Sequence, residues 1–356
     1  MNRRLPVFFL LDTSESMAGQ ELYDLEEALR GIVSVLQQDP HALETVFVEF
    51  LAFAGKARKL TELQDLMSVQ IPELPIGGGT SLGAGLNLLM SEIDTQVRVV
   101  SSEDKGDWKP LVFLITDGVP TDDPSPAIEK WNSDYKQKSK LIAISISGAA
   151  DTTVLSQLTD TVLNYYDTSP EATKEFVRWI SQSISSISRS VMTGGDQAEV
   201  LAPLDGVNLE KASDRPAAAT DERYAVIIGR CSETKHPYLA KYRRDPEFIS
   251  QLDLPDRMRN AEFVLTNCVP LRESYFDMSS QAGIRTIDVM QLLGQPDCPH
   301  CQSEYSLAID SNCGNAHCVS GEGLHICPWC GAAGEYGLSS GEDDDGDGMQ
   351  MRRGQG

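Results

Sequence analysis

Two sets of residues in this chain have the types and spacing to hold metal ions, one built on oxygen and the other on sulfur. The oxygen set begins with Asp12-Thr13-Ser14-Glu15-Ser16, directly after the apolar run from Leu5 to Leu11. A buried strand that breaks at an Asp followed by alternating hydroxyls gathers one carboxylate and two neutral oxygens in a single loop. That donor set suits a hard cation such as Mg²⁺, with Mn²⁺ as the alternative. Two distant segments read as further loops of the same site: Gly77-Gly78-Gly79-Thr80-Ser81-Leu82, and the run from Leu111 to Thr116 that ends in Asp117-Gly118. Taken one at a time, each segment has a plainer reading. Asp-x-Ser at a strand end is often a helix cap, and the three glycines could form an ordinary tight turn. Nucleotide binding there is disfavoured, because the Lys of Gly-x-x-x-x-Gly-Lys-[Ser/Thr] is missing. Asp122 and Asp123 read as solvated loop residues, and His41 has no nucleophile beside it in sequence.

The sulfur set consists of Cys298-Pro-His-Cys301 and Cys327-Pro-Trp-Cys330, separated by 25 residues. Paired Cys-x-x-Cys turns can present four thiolates in a tetrahedron, so Cys298, Cys301, Cys327 and Cys330 are expected to form a closed, structural zinc site. Cys231, Cys268, Cys313 and Cys318 remain, the number a second site needs. Their pairing is open: His236, His300, His317 or His325 could replace a thiolate, and Cys231 and Cys268 could be core residues. A redox role for Cys-x-x-Cys is the competing chemistry. All eight cysteines lie beyond residue 230. That clustering favours metal over disulfides, and with it a reducing compartment such as the cytoplasm.

The elements that must position these residues follow from hydropathy. Apolar runs at 6–11, 45–53, 111–116, 141–147 and 162–166 alternate with stretches of helical periodicity. Leu22, Leu25, Leu29, Ile32 and Leu36 form one such stretch, and Leu82, Leu86, Leu89, Ile93 and Val97 another. A final helix is expected over 170–191, with Pro170 in its first turn. This alternation predicts a doubly wound, mostly parallel α/β sheet, in which ligands sit beyond the carboxyl ends of the strands. Asp12 and Asp117 fall at such ends. The expected organisation is an α/β domain over 1–192, a connector over 193–222, a smaller cysteine-rich zinc-binding domain over 223–336, and an acidic, Gly-rich disordered tail over 337–356.

Composition removes several function classes. With 53 acidic against 30 basic residues, the net charge of −23 opposes binding to nucleic acid or anionic membranes. The basic and apolar start, Asn2-Arg3-Arg4 followed by Leu5–Leu11, has the outline of a secretory signal. Its apolar run is short and ends in Asp12 with no small-residue cleavage site, so a buried first strand is expected instead.

The three oxygen-bearing motifs, in this order, resemble the metal-ion-dependent adhesion site of von Willebrand factor A domains. The resemblance implies that Asp12, Ser14, Ser16, Thr80 and Asp117 hold the cation, and that a partner's Asp or Glu completes its shell. The closing pattern, from Cys298 through Cys313-Gly and His317-Cys318 to Cys327-Pro-Trp-Cys330-Gly, resembles the metal-binding domain of TerY-like proteins. That likeness implies a bacterial cytoplasmic protein of tellurite-resistance and stress-response systems, encoded with a protein kinase and a metal-dependent phosphatase. The leading expectation is a non-enzymatic adaptor for protein partners. Two alternatives stay open: a subunit of an ATP-driven, metal-chelatase-like complex, and a thiol-based protein that handles metals or metalloids.

Overall fold

Every residue of β1 (Leu5–Asp12) is buried, as befits a strand flanked by parallel neighbours with helices over both faces. The computed structural model describes residues 3–100, 105–146, 150–165, 169–192, 201–204, 209–212, 223–255, 258–280, 285–337 and 350–354. They divide into two compact units: Met1–Pro75 with Thr80–Thr220, and Ile76–Gly79 with Asp221–Gly356. None of the helices among these residues is long and apolar enough to cross a membrane.

In the first unit β1 is followed by α1 (Gln20–Leu36), α2 (Pro40–Thr45), β2 (Val46–Phe53), β3 (Ala57–Lys59), β4 (Gln64–Asp65) and α3 (Leu82–Gln96). Next come β5 (Leu111–Thr116), α4 (Ser125–Asp134), β6 (Lys140–Ile146), α5 (Thr152–Leu158), β7 (Val162–Tyr165), α6 (Pro170–Met192) and β8 (Leu209–Lys211). The strand order is β3-β2-β1-β5-β6-β7-β8, with β4 also on β2. The pairs from β2 through β7 are parallel, while β3, β4 and β8 are antiparallel additions. Alternation along β1 sends Phe8 and Leu10 to one face, where they pack with Leu86, Leu89, Trp131 and Leu155 from α3, α4 and α5. Phe9, turned the other way, stacks between Phe50 and Phe113 at centroid distances of 5.4 and 5.3 Å. The buried residues of α1 and α6, among them Leu25, Leu29, Trp179 and Ile184, serve that opposite layer.

The segment 193–222, read from sequence as a connector, is partly built into this unit. Leu209 is buried in β8 opposite Tyr165, and Ala202 exchanges hydrogen bonds with Trp179 Nε1 (2.9 Å) and Ser183 Oγ (3.0 Å). Residues 193–200, 205–208 and 213–222 lie outside the described residues.

The second unit contains β9 (Tyr224–Arg230), β10 (Pro237–Arg244), α7 (Pro246–Ser250), β11 (Phe263–Pro270), α8 (Ser274–Met278), β12 (Arg285–Asp288) and β13 (Leu292–Leu293). It continues through β14 (Tyr305–Ile309), β15 (Ala316–Val319), β16 (Gly323–Ile326), β17 (Ala333–Tyr336) and β18 (Gln350–Arg353). Its main sheet has the order β13-β11-β10-β9-β15-β14, with β12-β18 and β16-β17 as separate pairs. The disordered tail expected over 337–356 is corrected at its end: Met351 of β18 is fully buried with Ile287, Tyr242 and Phe263, because β18 pairs with β12. Composition drew attention to the charged stretch before it and hid this apolar anchor. Residues 338–349 lie outside the described residues.

Candidate metal centres

The chain leaves β1 toward β2 on one side, and the later strand β5 pairs with β1 on the other. The order therefore reverses between β1 and β5, and the crevice at their carboxyl ends is where a doubly wound sheet binds ligands. Asp12 closes β1 and Asp117 follows β5, both buried. Asp12 Oδ1 accepts the Ser14 N–H at 2.9 Å and Oδ2 accepts the Thr116 hydroxyl at 2.5 Å. Ser14 Oγ lies 3.0 Å from Ser16 Oγ, which donates to Asp117 Oδ1 at 2.8 Å. Thr80 is held by reciprocal bonds with Thr121, its N–H to Thr121 Oγ1 and the Thr121 N–H to its carbonyl, both 2.9 Å. Gly118 completes the cradle. A β-carbon there would sit 3.1 Å from Thr80 Oγ1 and 3.5 Å from Asp12 Oδ2, so this backbone lies against both donors.

The structure thus gathers all five oxygen-bearing residues read from the sequence. It also adds three that sequence reasoning passed over: Thr116, which orients Asp12, Thr121, which orients Thr80, and Gly118, which leaves room. Thr116 and Gly118 flank Asp117 in the quoted motif, so the signal was present without a role. Asp122 is corrected. It is half-buried and accepts the N–H groups of Gly83 (3.3 Å) and Ala84 (3.2 Å) at the start of α3, so it fixes that helix and is not merely solvated. Burial, reinforced by the charge of Asp117, pushes the Asp12 carboxyl up to about 7. Two carboxylates and three hydroxyls around a gap too crowded for a β-carbon fit a small oxygen-liganded cation, which would relieve that repulsion.

The second unit gathers two groups of ligand atoms, each within 4.8 Å of one another: Cys231, Cys298, Cys301 and Cys318, and Asp310, Cys313, Cys327 and Cys330. This regroups the sequence reading. Cys298 and Cys301 do not meet Cys327 and Cys330, and Cys268 belongs to neither group, packing instead beside the first. Strand register explains the exchange. His317 of β15 lies alongside Arg230 of β9 in parallel, so Cys318 and Cys231, each one residue further on, arrive together. The β14–β15 hairpin pairs Tyr305 with Val319 and Ile309 with Ala316. Its open end brings the 298–301 turn to Cys318, and its closed end carries Asp310 and Cys313 away.

The cysteine turns share one backbone form. Cys298 N–H donates to Ser303 O and Gln302 N–H to Cys298 O, both at 2.8 Å, while the matching bonds at Cys327 are to Ala332 O (2.8 Å) and from Gly331 (2.9 Å). Amides aim at sulfur as well: Ser232 N–H at Cys318 Sγ (3.1 Å), Asn315 Nδ2 at Cys313 Sγ (3.4 Å) and Asn312 Nδ2 at Cys330 Sγ (3.6 Å). Burial raises the Cys298 thiol to about 11 and moves Cys318 in the same direction. Cys231 is buried too, yet hydrogen bonds from Thr234 and the Glu233 N–H draw it down to about 6. Four-donor clusters of this kind, ringed by N–H groups, fit a thiolate-bound metal. Neither group includes a histidine, and three of the four considered as substitutes are engaged elsewhere: His317 Nε2 meets Tyr336 Oη at 2.8 Å, and His300 Nε2 and His325 Nε2 meet the Pro237 and Gly321 carbonyls, both at 2.9 Å.

The family model described as von Willebrand factor type A domain matches residues 7–179, and the one described as TerY-C metal binding domain matches residues 221–356. No curated protein matches the chain. Among solved structures, the chain is similar to proximal thread matrix protein 1 from the mussel byssus, at 15% identity over 51% of this chain and 48% of that one, with a TM-score of 0.37. It is similar to the ArnB paralog VWA2 from Sulfolobus acidocaldarius at 14% identity over 51% and 45%, TM-score 0.39. The pilus adhesin SpaC from Lactobacillus rhamnosus GG matches at 12% identity over 52% and 31%, TM-score 0.41. The chain thus spans less than half the length of each of these proteins.

Proposed function

We propose that this chain, which joins a von Willebrand factor type A domain to a TerY-C metal-binding domain, is a non-enzymatic adaptor that captures acidic side chains of partner proteins through a divalent cation. The observation that carries this reading is the unbroken set from Asp12 through Ser14 and Ser16 to Asp117, with Thr80 across Gly118. Three neutral hydroxyls and two carboxylates would hold Mg²⁺ or Mn²⁺. When bound, the ion supplies an open coordination position for a carboxylate from outside. No His or Cys stands in this oxygen site to act as nucleophile or base, so it favours docking over catalysis.

The two cysteine groups would hold zinc as structural ions, since four protein donors leave no position for substrate. Eight cysteines without a disulfide suit a reducing compartment, so the cytoplasm is the proposed location. On the family resemblance, the adaptor is proposed to serve a bacterial tellurite-resistance or stress-response system, with a protein kinase and a metal-dependent phosphatase as proposed partners.

Linkage between cation and carboxylate tests the adaptor reading. Mn²⁺ affinity is measured by calorimetry with and without a panel of Asp- and Glu-containing peptides, on the wild-type chain and on Asp117→Ala. An acidic peptide should tighten Mn²⁺ binding to the wild type, and its amide counterpart should not. If the cation binds at Asp12 and Asp117 but no carboxylate changes its affinity, the docking function is wrong.

A further inference from the structure

We infer that Asp310 is a metal ligand standing in the place of a knuckle cysteine, which makes the second site a three-thiolate, one-carboxylate centre that exchanges its ion more readily than the all-sulfur one. The inference rests on the reading of both groups as zinc sites. Its basis is a turn that occurs four times among the described residues of this unit. In each, residue i donates its N–H to the carbonyl of i+5, residue i+4 donates to the carbonyl of i, and i+4 has a left-handed backbone. The turn starts at Cys231 (2.9 and 3.0 Å), Cys298 (2.8 and 2.8 Å), Cys327 (2.8 and 2.9 Å) and Asp310 (3.1 and 2.7 Å). The i+4 residues are Lys235 (φ 64°), Gln302 (φ 63°), Gly331 (φ 75°) and Gly314 (φ 70°). Among the described residues, Lys235 and Gln302 are the two non-glycine residues with positive φ. This strained backbone is therefore, among the described residues, specific to this turn.

Three of the four turns place a cysteine first; the fourth places Asp310 there, with Cys313 in the second-ligand position. The donor that meets the first ligand also corresponds. Thr234 N–H points at Cys231 Sγ (3.4 Å), and Cys313 N–H points at Asp310 Oδ1 (2.8 Å). Asp310 is 3% exposed, and its Oδ1 lies 3.4 Å from Cys330 Sγ. The Asn312 N–H also donates to Oδ1 (3.1 Å), so backbone amides fix this carboxylate where it faces the three thiols, as amides around a metal site orient its ligands. In the first group Cys231, Cys298 and Cys318 are each at most 1% exposed and Cys301 is half-buried, whereas in the second Cys313 is half-buried and Cys330 exposed. A harder oxygen donor and an open thiolate both favour faster exchange.

The test uses the full chain and four readouts: zinc per molecule, zinc transfer to a chromophoric chelator, thiolate-to-cobalt charge-transfer intensity after Co²⁺ replacement, and circular dichroism. Wild type should hold two zincs and lose one at least tenfold faster than the other, with Co²⁺ intensity matching the seven thiolates of the two groups. Asp310→Cys should hold two, add one thiolate's intensity and remove the fast phase. Asp310→Asn keeps an oxygen to accept the Cys313 N–H but loses the anionic donor, and should hold one zinc or bind the second at least tenfold more weakly. Asp310→Asn with two zincs and unchanged exchange would show that Asp310 only shapes the turn, overturning the inference while leaving two zinc sites intact. Asp310→Cys without added intensity would overturn it as well. Fewer than two zincs in the wild type would instead overturn the underlying two-site reading.

Discussion

Replacing Asp12 by Asn should stabilise the cation-free first domain at pH 8, leave it unchanged near pH 4, and abolish its response to Mg²⁺. The Asp12 carboxyl is raised from 3.8 to about 7, chiefly by burial and next by Asp117. Because the folded value lies above the unfolded one, the unfolded chain releases this proton first. The penalty is absent below about pH 4, grows as pH rises to about 7, and is constant above. Three pH units at 1.36 kcal/mol each set an upper bound of about 4 kcal/mol, which Asp117 shares. Half of that would raise the midpoint by about 4–8 °C for a domain of this size. Asn fits the local bonds: Oδ1 can still accept from Ser14 N–H, and its amide can donate to Thr116 Oγ1, which in turn accepts the Gly118 N–H at 3.2 Å. Calorimetric unfolding of zinc-loaded wild type and Asp12→Asn in Mg²⁺-free buffer, at pH 4.5 and 8, gives the difference that isolates this residue. Mg²⁺ added at pH 8 should then stabilise only the wild type, by RT ln(1 + [Mg²⁺]/Kd). A difference equal at both pH values, or a mutant less stable at pH 8, would refute the claim that these carboxyls form a strained site awaiting a cation.

Gly118→Ala should weaken Mn²⁺ binding at least tenfold in calorimetry, since its new carbon meets Thr80 Oγ1 at 3.1 Å and Cγ2 at 3.2 Å; cation-free stability should fall by only about 1 kcal/mol. Asp122→Ala removes the acceptor for two α3 amides and should cost about 1 kcal/mol in denaturant unfolding, with cation affinity reduced because α3 carries the Thr80 loop. A zinc chelator should expose β9, β10 and β15 to hydrogen exchange before β1 and β5, and added zinc should restore protection.

The first domain was largely legible because its signals are local and redundant. The parallel strands are predominantly apolar runs, with Glu49 in β2, Ser145 in β6 and Asn164 in β7 as polar interruptions. The site residues stand where the runs of β1 and β5 stop, so finding those strands also located Asp12 and Asp117. The zinc groups were not legible in the same way. Cys-x-x-Cys marks a turn but not its mate, and the mate is chosen by a parallel pairing of β15 with β9 across some 85 residues, for which sequence spacing holds no clue. Asp310 was hidden by its type, although Asp310-Ser-Asn-Cys313-Gly314 repeats the spacing of Cys327-Pro-Trp-Cys330-Gly331. Met351 was overlooked because one buried side chain beyond a charged stretch leaves no mark in composition.

Donor type is what would let one chain sort two metals. Affinity order alone would put zinc in the oxygen site as well, since Zn²⁺ outranks Mn²⁺ for nearly any ligand set and Mg²⁺ binds more weakly still. Thiolate groups would change that outcome by taking zinc in preference to hydroxyls and carboxylates, while a far more abundant hard cation would compete by concentration for the site at Asp12 and Asp117. The sorting requires that sulfur be reduced and the oxygen site contain none, and the five residues Asp12, Ser14, Ser16, Thr80 and Asp117 meet the second condition. A centre with one carboxylate, Asp310, then stands between the two extremes. It would bind zinc through three sulfurs and yield it before the all-sulfur group, so it is the point at which zinc shortage should first reach this protein, while the oxygen site beyond the carboxyl ends of β1 and β5 would keep its cation.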